Sequence, residues 1–342
     1  MTLPALYLSR PGVALPATKL DNDDVLAKVR ANYRGDPKRW SVVEGAIRRI
    51  FAMCQTRVRY LDEREEARVA DYAVDAVHDC LQVNATSLED VDTVLFGGIA
   101  RQYFEPATAT EIAARLGLTS THALDVTSAC VGHLEAVQVA CGYLSLHDHY
   151  RAALVTTSEL AGDYLSYDIQ AIADLHLRSA GLTIGNGAAS LIVRRTPWPN
   201  GGLELCGLES YSEPAHWDLC QVPIKGTLMS SSTELMRLSG LIVPRLRAFL
   251  DRLGWDQADH YVFHQPSELM VKKIVEGIGD DPAKAICSHH LYGNTASASV
   301  GLAYRELLAA QEPQPGAKIV LGSAAAGFSM VVLAGRWHVQ QG

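Results

Sequence analysis

Ala123–Leu146 reads ALDVTSACVGHLEAVQVACGYLSL, and the fold turns on how this stretch is read. An apolar lead-in ends at Asp125, the short step Thr127-Ser128-Ala129 follows, and then comes Cys130. Beyond it Val131, Leu134, Val137, Gln138, Cys141 and Leu144 recur at helical spacing. Cys130 therefore belongs at a strand-to-helix elbow, on the first turn of a buried helix. Free backbone N–H groups and the positive end of the helix dipole stabilise a thiolate at such a place. Ser128, Ala129 and Gly132 are small enough for a substrate carbonyl to approach the sulfur. A cysteine here serves equally well as a small buried hydrophobe, and two later segments decide between the readings.

Working outward, Ala5 to Leu8 is strand-like and Pro11 to Pro16 a turn. Helical periodicity runs through Val25, Val29 and Tyr33, and again from Ser41 to Cys54. Arg57 to Tyr60 reads as extended, with a helix from near Asp62 to about Gln82. Leu88 to Gly98 is a buried strand entering a glycine turn, and Pro106 opens a helix that ends at Gly117. Ala152 to Ser158 and Ala188 to Val193 are further apolar strands.

The second half of the chain restates the first. Asp256–Gln265 (DQADHYVFHQ) lines up with Glu89–Gly98 (EDVDTVLFGG), each followed by a proline that opens a helix. Ser297-Ala-Ser-Val-Gly301 lines up with Ser128-Ala-Cys-Val-Gly132, and Lys318–Ser323 with Ala153–Ser158. Three matches in one order indicate two copies of one α/β unit. The Pro/Gly-rich TPWPNGG at 196–202 connects them, giving halves 1–197 and 198–342. Strands alternating with helices imply mostly parallel sheets, and near-continuous apolar strands imply cover on both faces. Two such units packed by their helices make five layers, α/β/α/β/α. Ligands of parallel sheets gather at the carboxyl ends of strands, where Cys130, the residues after Phe263 and the loop after Leu321 fall.

His264, in His264-Gln265-Pro266, follows the apolar run Tyr261-Val262-Phe263 and sits at a strand end. Asn294, in Gly293-Asn294-Thr295, lies in a turn leading into a helix. Taken singly, a histidine is usually packed or exposed, and Asn-Thr is ordinary turn chemistry. Delivered together by the partner half, they converge on Cys130. DVTSACVG around Cys130, FHQP around His264, GNTASAS around Asn294 and AAGFSM at 325–330 resemble the thiolase superfamily, most of all its β-ketoacyl-synthase III branch.

That resemblance implies a thiolase-like duplicated fold and a homodimer whose sites open through a tunnel for a phosphopantetheine arm. It also implies catalysis by Cys130, His264 and Asn294. Cys130 attacks an acyl thioester carried on coenzyme A or an acyl-carrier protein. The backbone N–H groups of Cys130 and Ala326 hold the oxyanion. Decarboxylation of a malonyl thioester leaves an enolate, held by His264 and Asn294 until its carbon attacks the acyl-cysteine. No metal or redox cofactor is required. His147-Asp148-His149 and His289-His290 read as surface polar groups, since they lack a third ligand at a metal-site spacing.

Departures from the family sharpen the expectation. Ser267 and Leu269 stand where family members read Asn and Arg in H-Q-A-N-x-R. Phe51 and Gln55 stand where an aromatic and an Arg often clamp the adenine of coenzyme A, so a carrier-protein thioester gains ground. Gly185-Asn186-Gly187 replaces the usual G-D-G. Glu105 precedes Pro106 where fatty-acid initiators carry an apolar residue reaching the partner's acyl pocket. Glu105 is thus either a substrate-binding carboxylate that disfavours a plain alkyl chain or an exposed loop residue.

Composition bounds the rest. The chain has 342 residues, 48% of them hydrophobic and 20% charged, which suits a soluble protein with a large core. A net charge of −8 argues against a nucleic-acid partner. No signal peptide is evident, no apolar run is long enough to span a membrane, and seven cysteines without a C-x-x-C pair suit the reducing cytoplasm. The expected function is a decarboxylative ketosynthase of specialised, polyketide-like metabolism. One alternative is an acyltransferase passing its acyl group to an alcohol, amine or carrier thiol without condensation. Another, of a different class, is a non-catalytic partner of an active paralogue.

Overall fold

In the computed structural model, which describes residues 5–339, the apolar runs become ten strands of one mixed sheet. In chain order these are β1 (Tyr7–Leu8), β2 (Gly12–Ala14), β3 (Val91–Gly97), β4 (His122–Val126) and β5 (Ala152–Glu159). They continue with β6 (Gly187–Arg194), β7 (Gly202–Ser212), β8 (His260–Phe263), β9 (Lys318–Ala325) and β10 (Ser329–His338). Their order across the sheet is β8-β9-β10-β7-β1-β6-β5-β3-β4, with β2 beside β6. Strands β3–β6 come from the first half and β7–β10 from the second. β1 joins them, Tyr7 pairing with Arg194 on one side and Glu204 on the other.

Side-chain alternation on these strands builds the layers. Leu95 of β3 and Val262 of β8 face inward, where helices α1 (Gly132–Leu146) and α2 (Ser299–Ala310) fill the space between the halves. Leu134, Val137 and Leu144 of α1 share that core with Val300, Tyr304 and Leu307 of α2. Val94 and Phe96 face outward under helices Val69–Val83 and Thr108–Arg115. Tyr261 and Phe263 do the same under Ile242–Arg252 and Glu268–Gly277. The result is the five-layered α/β/α/β/α arrangement.

Four expectations need correction. The sheet is not mostly parallel: among the described residues only β3–β4, β3–β5 and β8–β9 run parallel, and the other six pairings are antiparallel. A strand covered on both faces looks alike in either direction, so pattern alone cannot assign it. The repeat also shifts register. Ala129 (φ 46°) and Ala296 (φ 45°) both take the left-handed conformation at the first residue of a 3₁₀ turn that leads into a central helix. Backbone geometry therefore matches Cys130 with Ser297, not with Ser299. The helix expected from Asp62 starts only at Val69, because the Asp62 carboxylate is taken by Arg64 and the Tyr72 hydroxyl in a loop. The Pro11–Pro16 turn contains β2.

Candidate active site

Cys130 lies in the 3₁₀ turn Ala129–Val131 that leads into α1. The turn packs closely on the end of β3, where a Cβ on Gly97 would lie 2.2 Å from the Gly132 carbonyl oxygen. From the other half, Ser323 Oγ of β9 donates to the Cys130 carbonyl at 2.9 Å. Cys130 is partly exposed as a residue, yet its sulfur is deep enough for burial to push the thiol pKa well up. Cys220 and Glu159 push it further, while its own backbone N–H opposes them. The expected thiolate is therefore a thiol here. Desolvation outweighs that one amide.

His264 follows β8 and is fixed by its backbone N–H, which donates to the Gly322 carbonyl at 2.8 Å, one residue before Ser323. Its Nδ1 lies 2.6 Å from Ser299 Oγ, which in turn donates to the Ala296 carbonyl at 2.8 Å. Burial, and His289 after it, lower the His264 pKa to about 4, so the ring is neutral at pH 7. Gln265 rivets this strand end: its Nε2 donates to the Phe263 and Ile286 carbonyls, and its Oε1 accepts from Ser288 N–H.

Asn294 Oδ1 accepts the Ala296 backbone N–H at 3.0 Å. Only the amide oxygen can fill that role, so Nδ2 remains the donor end. The main chain is pinned independently: Asn294 N–H donates to the Thr183 carbonyl at 2.8 Å, and Gly185 N–H donates to the Asn294 carbonyl at 3.0 Å. A single chain of contacts thus runs from Cys130 through Ser323, Gly322, His264, Ser299 and Ala296 to Asn294. It joins a thiol, a neutral imidazole and an amide donor.

The other expected residues fall at varied distances from this group. Ala326 is in the tight turn from β9 to β10, three residues beyond Ser323. Glu105 is not brought to the site within one chain. It is exposed, beside an exposed Phe104 and ahead of a cis Glu105–Pro106 bond. Its loop is anchored at both ends: Glu159 accepts Ile99 and Ala100 N–H, and Asp125 accepts Thr108 and Ala109 N–H. Ser267 caps the helix Glu268–Gly277 through Met270 N–H, and Leu269 is exposed. Phe51 is buried beneath the Arg59 guanidinium, yet it lines a cleft of about 270 Å³ with Asn22, Arg48, Gln55 and Arg57. Asn186 is buried with no partner for its side-chain amide among the described residues, its backbone N–H donating to the Tyr60 carbonyl.

One surface assignment was wrong. His289 is fully buried, its Nδ1 2.8 Å from the Gln265 carbonyl and its Nε2 2.6 Å from Thr56 Oγ1. Since a carbonyl only accepts, Nδ1 carries the hydrogen and Thr56 donates to Nε2. His290 pairs with Glu268. His147 and His149 do lie outward, grouped with Tyr143 and Tyr150.

Two residues near the sulfur were missed. Glu159 is buried at the end of β5, where Ile99 N–H and Ser297 Oγ donate to Oε1. A carboxylate closing an otherwise uncharged strand was the available signal. Cys220 sits in the hairpin Cys220–Gln221/Met229–Ser230, whose Val222 and Leu228 pack with Ile184 beside Asn294. Nothing in its local pattern marks it. Among the described residues no cluster of three His, Cys, Asp or Glu is arranged to hold a metal, and no helix is long and apolar enough to cross a membrane.

Residues 250–337 match the family model for the C-terminal part of 3-oxoacyl-[acyl-carrier-protein] synthase III. The chain is 28% identical over 333 residues to the β-ketoacyl-[acyl-carrier-protein] synthase III of Rhodospirillum rubrum, covering 93% of this chain and 95% of that one. It is 26% identical over 254 residues to an acyl-CoA:acyl-CoA alkyltransferase of Shewanella oneidensis, covering 68% and 72%. The crystal structure of FabH, a 3-oxoacyl-(acyl carrier protein) synthase III from Pseudomonas aeruginosa, superposes with a TM-score of 0.83 at 22% identity over 99% of this chain and all of that one. OleA of Xanthomonas campestris superposes at 0.86 with 20% identity, covering 98% and 99%. Fold, motifs and relatives agree: the fold is thiolase-like, and the chain is similar to the β-ketoacyl-acyl-carrier-protein synthase III-like condensing enzymes.

Proposed function

We propose that this chain loads an acyl group from a coenzyme A or acyl-carrier-protein thioester onto Cys130 and condenses it with a malonyl-type thioester by decarboxylation. The observation that carries the reading is the joint presentation of the Cys130 thiol, the neutral His264 ring and the Asn294 amide donor by the two halves. Simple acyl transfer has no enolate to hold, and a non-catalytic partner has no use for any of the three. In loading, the Cys130 S–H proton passes to His264 as the S–C bond forms, the thioester C–S bond breaks and the carrier thiolate leaves, with Cys130 and Ala326 N–H groups holding the oxyanion; the proton returns to Cys130 when it departs. In condensation, loss of CO₂ gives an enolate whose oxygen accepts from His264 and Asn294. Its carbon attacks the acyl carbonyl and Cys130 departs. The cycle balances with no metal or redox partner.

The exposed Phe104 beside Glu105 supports a homodimer in which a second copy covers this loop. Glu105 in that pocket favours an acyl group bearing a donor, which supports specialised, polyketide-like chemistry over fatty-acid initiation. A second reading rests on the same residue. The Shewanella relative is named an acyl-CoA:acyl-CoA alkyltransferase. A carboxylate at the acceptor's α-carbon would supply the base that a condensation without decarboxylation needs. The test is single turnover of acyl-loaded protein with carboxyl-labelled malonyl thioester. Release of one labelled CO₂ per new β-ketoacyl product supports decarboxylative condensation. Product from an unactivated acyl thioester, lost in Glu105→Gln, supports the second reading. Acyl transfer without a new carbon–carbon bond contradicts both.

A further inference from the structure

Ser299, buried at the first turn of α2, carries chemistry that neither its helix nor the expected site explains. A serine hydroxyl has one proton and two lone pairs. The proton goes to the Ala296 carbonyl at 2.8 Å, an atom that can only accept. Two groups then point at the oxygen: His264 Nδ1 at 2.6 Å and, more distantly, Gln265 N–H at 3.4 Å. With its own proton committed, Ser299 Oγ must accept from the ring, so Nδ1 carries the hydrogen. A neutral imidazole protonated at Nδ1 presents a bare lone pair at Nε2.

We infer that Ser299 is a positioning residue that holds His264 in the Nδ1–H form, so that Nε2 takes the Cys130 proton during acyl loading. This rests on the acyl-cysteine reading above. A buried thiol is a poor nucleophile until that proton leaves. In loading, the proton moves from Cys130 Sγ to His264 Nε2 as the sulfur bonds the acyl carbon, and the carrier departs as its thiolate. The ring then enters condensation as a donor at Nε2, facing the enolate oxygen. When the enolate carbon displaces Cys130, the sulfur reclaims the proton. Throughout, Nδ1–H stays on Ser299. Ser299 and Asn294 thus act on opposite half-reactions: Ser299 on loading, Asn294 on the enolate.

The test pairs ¹⁵N-histidine NMR with half-reaction kinetics on wild type, Ser299→Ala and Ser299→Thr, the His264 signals being assigned with His264→Asn. Wild type is expected to show His264 protonated at Nδ1, and Ser299→Ala to shift the ring toward Nε2–H. Loading of Ser299→Ala should fall about 10²-fold, the lower end of what a positioned base contributes. Condensation by Ser299→Ala loaded through prolonged exposure to acyl thioester should fall less than about tenfold, which also shows that the variant is folded. Ser299→Thr, which keeps the hydroxyl, should restore loading. A wild-type His264 protonated at Nε2 overturns the inference even if Cys130 loads normally. So does a Ser299→Ala variant whose two half-reactions fall by the same factor, the mark of a merely structural residue. A wild type that never acylates Cys130 defeats the acyl-cysteine reading itself, and with it the base assigned here.

Discussion

Removing the Asn294 side chain should separate loading from condensation. In Asn294→Ala the backbone keeps both of its anchors, the Thr183 carbonyl and Gly185 N–H, because neither involves the side chain. What is lost is the 3.0 Å acceptor for Ala296 N–H and the free Nδ2 donor. The first costs about 1 kcal/mol of stability, a small part of the 5–15 kcal/mol typical of a folded domain. On the proposed mechanism the second is one hydrogen bond to the enolate, and loss of such a donor typically costs about 10²–10³ in rate, roughly 2.7–4 kcal/mol. On the proposed mechanism loading uses Cys130, His264 and the backbone oxyanion donors, so it should stay within about threefold of wild type. Asn294→Asp is the sharper variant: its carboxylate still accepts Ala296 N–H but donates nothing and repels an enolate. Condensation should fall at least as far as in Asn294→Ala, with stability preserved. The assay is quenched-flow loading followed by single-turnover reaction of the isolated acyl-enzyme with malonyl thioester. If loading and condensation fall together in both variants, Asn294 is a structural residue and the enolate argument is wrong.

Two further outcomes follow from the same structure. If a partner copy receives Glu105 in its acyl pocket, an alkyl substrate leaves that carboxylate unsatisfied at about 1–3 kcal/mol, so Glu105→Phe should shift competitive loading toward short alkyl thioesters by roughly five- to 150-fold; an unchanged preference would mark Glu105 as a solvated loop residue. Burial lowers His133 and His289 to about 4, below the value near 6.5 of the unfolded chain, so the unfolded chain binds the proton first. Stability present above pH 6.5 is therefore lost as pH falls toward 4, at about 1.4 kcal/mol per unit for each ring, or on the order of 4 kcal/mol by pH 5. Urea unfolding at pH 7 and pH 5 measures this, and equal midpoints would contradict it.

The candidate site was proposed from local signals. Cys130 after a small-residue step, His264 after an apolar run and Asn294 after a glycine each carry their signal within a few residues. The repeat was legible as order but not as register: the letters of Ser297-Ala-Ser-Val-Gly301 match those around Cys130, whereas the left-handed turn at Ala296 makes Ser297 the true counterpart. His289 looked like surface because its partners, Thr56 and the Gln265 carbonyl, are remote or on the main chain. Strand direction was lost for a related reason, since strands such as Ala152–Glu159, buried along their whole length, show no polar face. Cys220 was invisible because its hairpin gains meaning only from packing beside Ile184 and Asn294. Thiol protonation depended on enclosure, which spacing does not report.

The central claim is that Cys130 carries the acyl group, and intact-protein mass spectrometry after exposure to a panel of acyl thioesters tests it most directly. Wild type should gain one acyl mass, peptide mapping should assign it to Cys130, and Cys130→Ala should gain none. Because Cys220 lies close enough to raise the Cys130 thiol pKa, mapping must separate the two. An acyl mass that persists in Cys130→Ala, on Cys220 or elsewhere in the pocket, or a wild type that accepts no acyl group from any donor, would contradict the account.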